Sequence, residues 1–308
     1  MTETFASRID ELLKNLDGLR ECMHASELPP ADREETLESL RLDLVELLQK
    51  AFAEGDRTVR RSAVYGLSKV GVDKSVDLFL QALHDDDDHI RAWAADGLGK
   101  SQDPRGVAQL IAALGDENHY VCFSIANALR RIGIERILQP LCAAALGPEV
   151  KVRRRACKLL GELGDKHATE VLLQAVKDSD PDVRYEAAEA LRKLGDEAAV
   201  PALILALQDQ SRDVRSAAIT GLASFSDEQA IGPLIRILAE QRDLRYSALD
   251  SLRTICGETC LGPIMEFLRA QKRLVAETIQ AVMTLHTRDT TRTERAPHAQ
   301  NYPAIEAK

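Results

Sequence analysis

The chain has 308 residues and a formal net charge of -9, with 45% hydrophobic and 29% charged residues. That balance suits a folded protein and argues against a general nucleic-acid coat, which carries a basic surplus. Aromatic residues make up only 4%, while Ala and Leu are abundant, a combination that favours closely packed helices over a sheet.

The N-terminus, MTETFASRIDELLKNL, is acidic and amphipathic and lacks the basic and apolar regions of a signal peptide. No apolar run reaches the length of a membrane span. The six cysteines, Cys22, Cys122, Cys142, Cys157, Cys256 and Cys260, therefore read as reduced thiols of a cytoplasmic protein. Two helices are predicted over residues 4–24 and 31–53, separated by Pro29 and Pro30. Residues 1–30 read as a capping helix whose polar outer face closes the end of an array. The segment from Arg33 to Phe52 supplies the outer helix of a first helix pair.

From residue 56 the sequence repeats. DRTVRRSAVYGLSKVG (56–71), DDHIRAWAADGLGKSQ (87–102), EVKVRRRACKLLGELG (149–164), DPDVRYEAAEALRKLG (180–195) and SRDVRSAAITGLASFS (211–226) share one frame. Its index residues are Val59, Ile90, Val121, Val152, Val183, Val214, Leu244 and Leu274, spaced by 31 five times and then by 30 twice. Eight positions on stand Leu67, Leu98, Leu129, Leu160, Leu191, Leu222, Leu252 and Val282. Apolar residues at i, i+4 and i+8 form the stripe of an amphipathic helix, here called the inner helix. Small residues at offsets four and five, such as Ala63, Ala94, Ala156 and Ala187, let a neighbouring backbone come close. Between inner helices lie outer helices such as AAVPALILALQD (198–209), AIGPLIRILAE (230–240) and HATEVLLQAVKD (167–178). Pro201, Pro233 and Pro263 fall near their starts, where a missing N–H costs little. Gly164 and Gly195 are expected C-caps. One such pair cannot bury its own apolar face, so the pairs must stack into an all-α solenoid of about eight units over residues 31–285. Residues 286–308, polar and proline-containing, read as a disordered tail.

The unit D-x-x-V-R-x-x-A-A-x-A-L-x-x-L-G followed by D-x-x-A-V-x-P-L-I-x-A-L resembles the short HEAT-like repeat of the bilin-lyase (PBS lyase, E-Z) type. The resemblance implies a right-handed superhelix of stacked pairs whose inner helices line the concave face. It implies either an adaptor or a factor that attaches bilin chromophores to phycobiliproteins. Deoxyhypusine hydroxylase, another HEAT-like protein, carries His-Glu pairs that bind iron; no His-Glu dipeptide occurs in this chain.

Two tempting features reduce to the repeat. HDDDDH (84–89) occupies the turn before an inner helix, where Asp caps free N–H groups and complements the dipole. The alternative, a divalent-ion site, leans on His89 and His119 in adjacent turns. The column Arg60, Arg91, Arg153, Arg184, Arg215 and Arg245 reads as a ladder pairing with turn carboxylates such as Asp87, Glu149 and Asp180. Cys122 interrupts it and is expected to be partly exposed.

Offsets two, three, six and ten of each inner helix point away from the core. They place Tyr65, Trp93, Phe123, Tyr185 and Tyr246, five of the chain's twelve aromatics, on one surface. Asn127, Arg131, Arg154, Arg155, Lys158 and Glu189 join them, with Arg130 nearby. Aromatic residues and Arg dominate interface energetics, so this surface is the candidate binding face, for a partner protein or an acidic segment. Trp93 could instead fill a gap between helices. No phosphate loop, HExxH, GxSxG or paired CxxC motif is present, no metal or cofactor set is legible, and Cys256-Gly-Glu-Thr-Cys260 has no second ligand pair. The sequence thus favours a non-enzymatic scaffold. The alternative is a bilin lyase subunit, whose tetrapyrrole propionates would suit the central arginines. Nucleic-acid binding by the cluster from Arg130 to Lys158 comes last, given the net charge.

Overall fold

The computed structural model describes residues 30–257, apart from residue 71. The capping helix expected over residues 1–30, the last units and the tail lie outside these residues. Fourteen α-helices and three short 3-10 turns are present, and there is no strand among the described residues. The chain divides into two compact units, Met1–Ala202 and Leu203–Lys308.

In the first unit, α1 (Pro30–Glu54) packs on α2 (Arg57–Val70), the first inner helix. Next come α3 (Val76–Ala82) with α4 (Asp88–Ser101), and α5 (Arg105–Ala113) with α6 (His119–Ile132). Then follow α7 (Ile134–Ala145) with α8 (Val150–Leu163), and α9 (Thr169–Ala175) with α10 (Pro181–Leu194). Each outer helix packs on the inner helix after it, and α2, α4 and α6 pack in sequence. The chain continues through α11 (Val200–Ala206). In the second unit α12 (Arg212–Phe225) and α13 (Ile231–Glu240) both pack on α14 (Arg245–Cys256).

The repeat frame is the core. Val59, Ile90, Val121, Val152, Val183, Val214 and Leu244 are all buried, and Leu67, Leu98, Leu129, Leu160, Leu191, Leu222 and Leu252 are wholly inaccessible. Ala63, Ala94, Ala156, Ala187 and Ala218 are equally inaccessible. Two approaches are closest. A Cβ added to Gly99 would lie 2.6 Å from Cα of Ala128, and one added to Gly161 would lie 2.6 Å from Cα of Ala190. Only glycine leaves room for such an approach.

Helix ends follow the expected chemistry. Asp56, Asp87 and Asp180 accept hydrogen bonds from the first free N–H groups of α2, α4 and α10. Gly164 and Gly195 close α8 and α10 in the left-handed region at φ 71° and 61°. The same conformation ends α12 at Ser226, φ 53°, where a Cβ is unfavourable. Replacing Ser226 with glycine is therefore expected to raise stability by about 0.5–1 kcal/mol, read as a higher urea midpoint.

Pro201 and Pro233 sit in the first turns of α11 and α13. Pro140 instead lies inside α7, because this helix starts directly after Gly133 without the 3-10 turn that precedes α9, α11 and α13.

Candidate functional site

The inner helices of the first unit expose an aromatic strip. The Tyr65 ring on α2 lies 5.2 Å from the Trp93 ring on α4, centroid to centroid. Trp93 lies 5.7 Å from His89, and His89 lies 6.1 Å from Tyr120 on α6. The ammonium of Lys69 sits 5.3 Å from the Tyr65 centroid. Tyr65, Tyr120 and Phe123 are 43%, 50% and 63% exposed, which is large for aromatics in a chain with twelve of them. Trp93 is half-buried and serves both as a packing residue and as the middle of the strip. His89, weighed in the sequence only as a cation ligand, and Tyr120 were not among the residues predicted for this face. Both stand one position before an index residue, on the first turn of an inner helix, which the outward offsets two to ten leave out.

The other predicted residues are placed differently. Tyr185, 37% exposed, stands on α10, while Tyr246, 80% exposed, belongs to the second unit. Asn127 accepts from Arg130 at 3.0 Å, and Glu189 accepts from Arg192 at 2.8 Å. The basic residues are largely spent within the fold. Arg130 pairs with Glu162, Arg131 with Asp96 at 2.7 Å, and Arg154 with Asp182 at 3.0 Å and Glu186 at 3.8 Å. Lys158 is exposed, and its charge acts on Glu186. Burial pushes the Glu186 carboxyl up despite the cations around it.

Arg155 points elsewhere. Its guanidinium donates to the carbonyl oxygens of Leu114 and Asp116, the latter at 2.6 Å. The reason is the interruption at Cys122. Three ladder arginines do two things: each donates to carbonyls five or six residues back, and each reaches a side chain one repeat on. Arg91 binds the Asp85 carbonyl and the Asp116 carboxylate, and Arg153 binds the Gly147 and Pro148 carbonyls and the Asp178 carboxylate. Arg215 does the same with the Asp209 carbonyl and the Gln241 amide oxygen. The partner carboxylate stands 25 residues after the arginine: Asp85 for Arg60, Asp116 for Arg91 and Asp178 for Arg153. These are not the expected Asp87, Glu149 and Asp180, which stand at helix N-caps. At Cys122 the cation is missing, and the residue 25 positions on is Gly147, so the carboxylate is missing too. Arg155 fills the vacated place at the Asp116 carbonyl. The Cys122 thiol, buried rather than partly exposed, lies 3.3 Å from that same oxygen.

The four carboxylates of HDDDDH are all engaged. Asp85 and Asp86 hold Arg60 at 3.1 and 2.9 Å, and Asp88 accepts from the Asn118 amide at 2.7 Å. Asp87, wholly buried, accepts from the N–H groups of His89 and Ile90 and from Arg57 and Arg61. Burial opposes its ionisation, but these donors outweigh it and hold the carboxyl well below the usual range. The run is a capping turn fused to the arginine ladder. Among the described residues, no group of three or more His, Cys, Asp or Glu is arranged to hold a metal ion. Cys157 is fully inaccessible, and burial pushes its thiol up to about 12; desolvation likewise raises Cys122 and Cys142.

Stacked two-helix units with a shared aliphatic core define an all-α solenoid. HEAT repeats match residues 29–98, 76–150, 138–209 and 200–283, and the chain belongs to the HEAT repeat family. Solved structures agree on the fold. The karyopherin Kap121p bound to the SUMO protease Ulp1p matches with a TM-score of 0.59 at 14% identity, covering 82% of this chain and 34% of that one. Kap95p, in its complex with RanGDP, matches with a TM-score of 0.53 at 14% identity over 84% of this chain and 40% of that one. The chain thus spans well under half the length of these two karyopherins. Human deoxyhypusine hydroxylase matches over 98% of its own length and 82% of this chain at 18% identity, but the TM-score of 0.35 gives it no weight. No curated protein matches the chain significantly. No helix among the described residues is long and apolar enough to cross a membrane.

Proposed function

We propose that the protein is a non-enzymatic scaffold that binds a partner protein on the inner-helix face of its first unit. The observation that carries this reading is the exposed strip Tyr65, Trp93, His89, Tyr120 and Phe123 across three inner helices. Such rings carry large contact area at little conformational cost. Because α2, α4 and α6 are locked by the core, the strip is preorganised, and little ordering entropy opposes binding. Arg154, Lys158, Tyr185 and Glu189 extend the same reading onto α8 and α10.

The central arginines carry less of this reading than their number suggests, since Arg130, Arg131, Arg154 and Arg155 already have partners in the fold. A bilin reading needs free guanidiniums for two propionates, and an acidic partner needs the same groups, so aromatic contact is the better-supported basis. The karyopherins matched above are in complexes with protein partners, which fits a protein-binding use of the fold.

The test is capture from lysate of the source cells, followed by affinity measurement with the identified partner. Replacing Tyr65, Tyr120 and Phe123 with alanine together is expected to weaken binding by about 30-fold or more, the loss of one strong hot spot. The circular dichroism spectrum should not change, since all three rings are exposed. Unchanged affinity would move the site off this face.

A further inference from the structure

We propose that the seam between α6 and α8 is an articulation within the first unit, and that Arg155 is its latch. Four observations meet there. First, close inner-helix packing lapses. Gly99 meets Ala128 between α4 and α6, and Gly161 meets Ala190 between α8 and α10. The same two positions between α6 and α8 are Arg130 and Leu159, and these helices do not pack as their neighbours do. Second, the arginine ladder lapses, because Cys122 and Gly147 replace both the cation and the carboxylate. Third, an open cleft of about 610 Å³ lies between the flanking turns, lined by Arg91, Asp116, Glu117, Glu149, Val150 and Lys151. Fourth, the turn itself exposes Leu146 and Val150, 44% and 42% accessible, where the turns at 84–89 and 177–182 are polar.

The joints on either side combine backbone contact with an intact ladder pair. This joint has neither. The outer helices α5 and α7 still pack across it, but its inner helices are joined by long polar side chains: Arg155 to the Leu114 and Asp116 carbonyls, Arg130 to Glu162, and Lys151 to Glu117 at 3.2 Å. The Lys151 and Glu117 side chains are 60% and 91% exposed, so that pair adds little. Arg155 is the half-buried strut. Local opening free energies are lowest where close contact is sparse, so the inner-helix sides of the two blocks, α1 to α6 and α7 to α10, open against each other here about the retained contact of α5 with α7. The spacing between the aromatic strip and the face of α8 and α10 then adjusts. The articulation stands whether or not that face binds the partner.

Hydrogen exchange on the full chain tests this. In the wild type, amides of residues 115–122 and 147–153 are expected to exchange about tenfold faster than the equivalent turns at 84–91 and 178–184. Arg155→Ala should speed the seam about tenfold further. Arg154→Ala, one residue away on the same helix, should leave the seam unchanged. Cys122→Arg combined with Gly147→Asp rebuilds the ladder pair and should slow the seam toward the reference turns. Equal wild-type exchange at the seam and the reference turns would overturn the articulation. Seam exchange that is the same in Arg155→Ala and wild type would overturn the latch. Should Arg155→Ala lose protection in all turns alike, Arg155 supports the whole fold and the latch is again refuted.

Discussion

Gly161→Val is expected to cost about 3 kcal/mol of stability, near the top of the range for overpacking a core. Gly161 lies inside α8, where glycine is the poorest common helix former apart from proline. Propensity alone would make any larger residue an improvement. Packing reverses the sign. A Cβ at this position would stand 2.6 Å from Cα of Ala190 and 2.7 Å from its Cβ. The obstacle is backbone, which cannot rotate away, so α8 and α10 must separate and the Ala156 and Ala187 layer must open with them. Gly232 in α13 supplies the control. A Cβ there meets nothing within 4 Å, so Gly232→Ala should raise stability by about 0.5–1 kcal/mol. Urea denaturation followed by circular dichroism reads both. A Gly161→Val protein as stable as wild type would show that the α8–α10 approach is not a tight contact.

Asp87→Ala is the second large effect, at about 2–3 kcal/mol. The carboxylate is wholly buried and serves four donors. Removing it takes the cap from the Ile90 N–H of α4, while Asp88 still accepts from His89, and deprives Arg57 and Arg61 of their hydrogen-bonded carboxylate. A pH dependence follows, and its sign can be worked out. The folded Asp87 carboxyl titrates below its unfolded counterpart, so on acidification the unfolded chain takes up the proton first. The stabilisation is complete above the ordinary carboxylate range and is lost as the pH falls through and below it. Asp85, Asp116 and Asp178 are lowered in the same direction; burial opposes this, and the bonds from Arg60, Arg91, Arg153 and backbone N–H groups outweigh it. Unfolding free energy of the wild type should therefore drop steeply with acid from about pH 4 downward. The Asp87→Ala protein should start lower at pH 7 and fall less. Parallel pH profiles for the two would show that Asp87 is not depressed in the native state.

The unit of the fold was legible in the residues alone. A period of 31, one aliphatic index and a second eight positions on suffice, because a helix pair with one apolar face has no other way to bury it than to stack. The caps were legible for the same local reason: Asp87, Asp180, Gly164 and Gly195 satisfy or release backbone within one turn of themselves. The carboxylate partners of the ladder were misplaced, since a side chain bridging two repeats is set by where one turn lies against the next. A 25-residue spacing from Arg to Asp, present three times in the first unit, was the available signal.

The candidate face divides the same way. Helical periodicity placed Tyr65, Phe123, Tyr185 and Tyr246 outward, and they are exposed. It could not place His89 and Tyr120 in the strip, because ring contacts across α2, α4 and α6 depend on how far each helix is slid along its neighbour. Nor could it separate Arg154 from Arg155. The two are adjacent in sequence and identical in type, yet one holds Asp182 and Glu186 on α10 while the other crosses back to the Leu114 and Asp116 carbonyls beside Cys122. Periodicity decides which side of a helix a residue occupies, through bonds within that helix. Which neighbour a long side chain reaches is decided by the spacing between helices, and only the tertiary structure contains that.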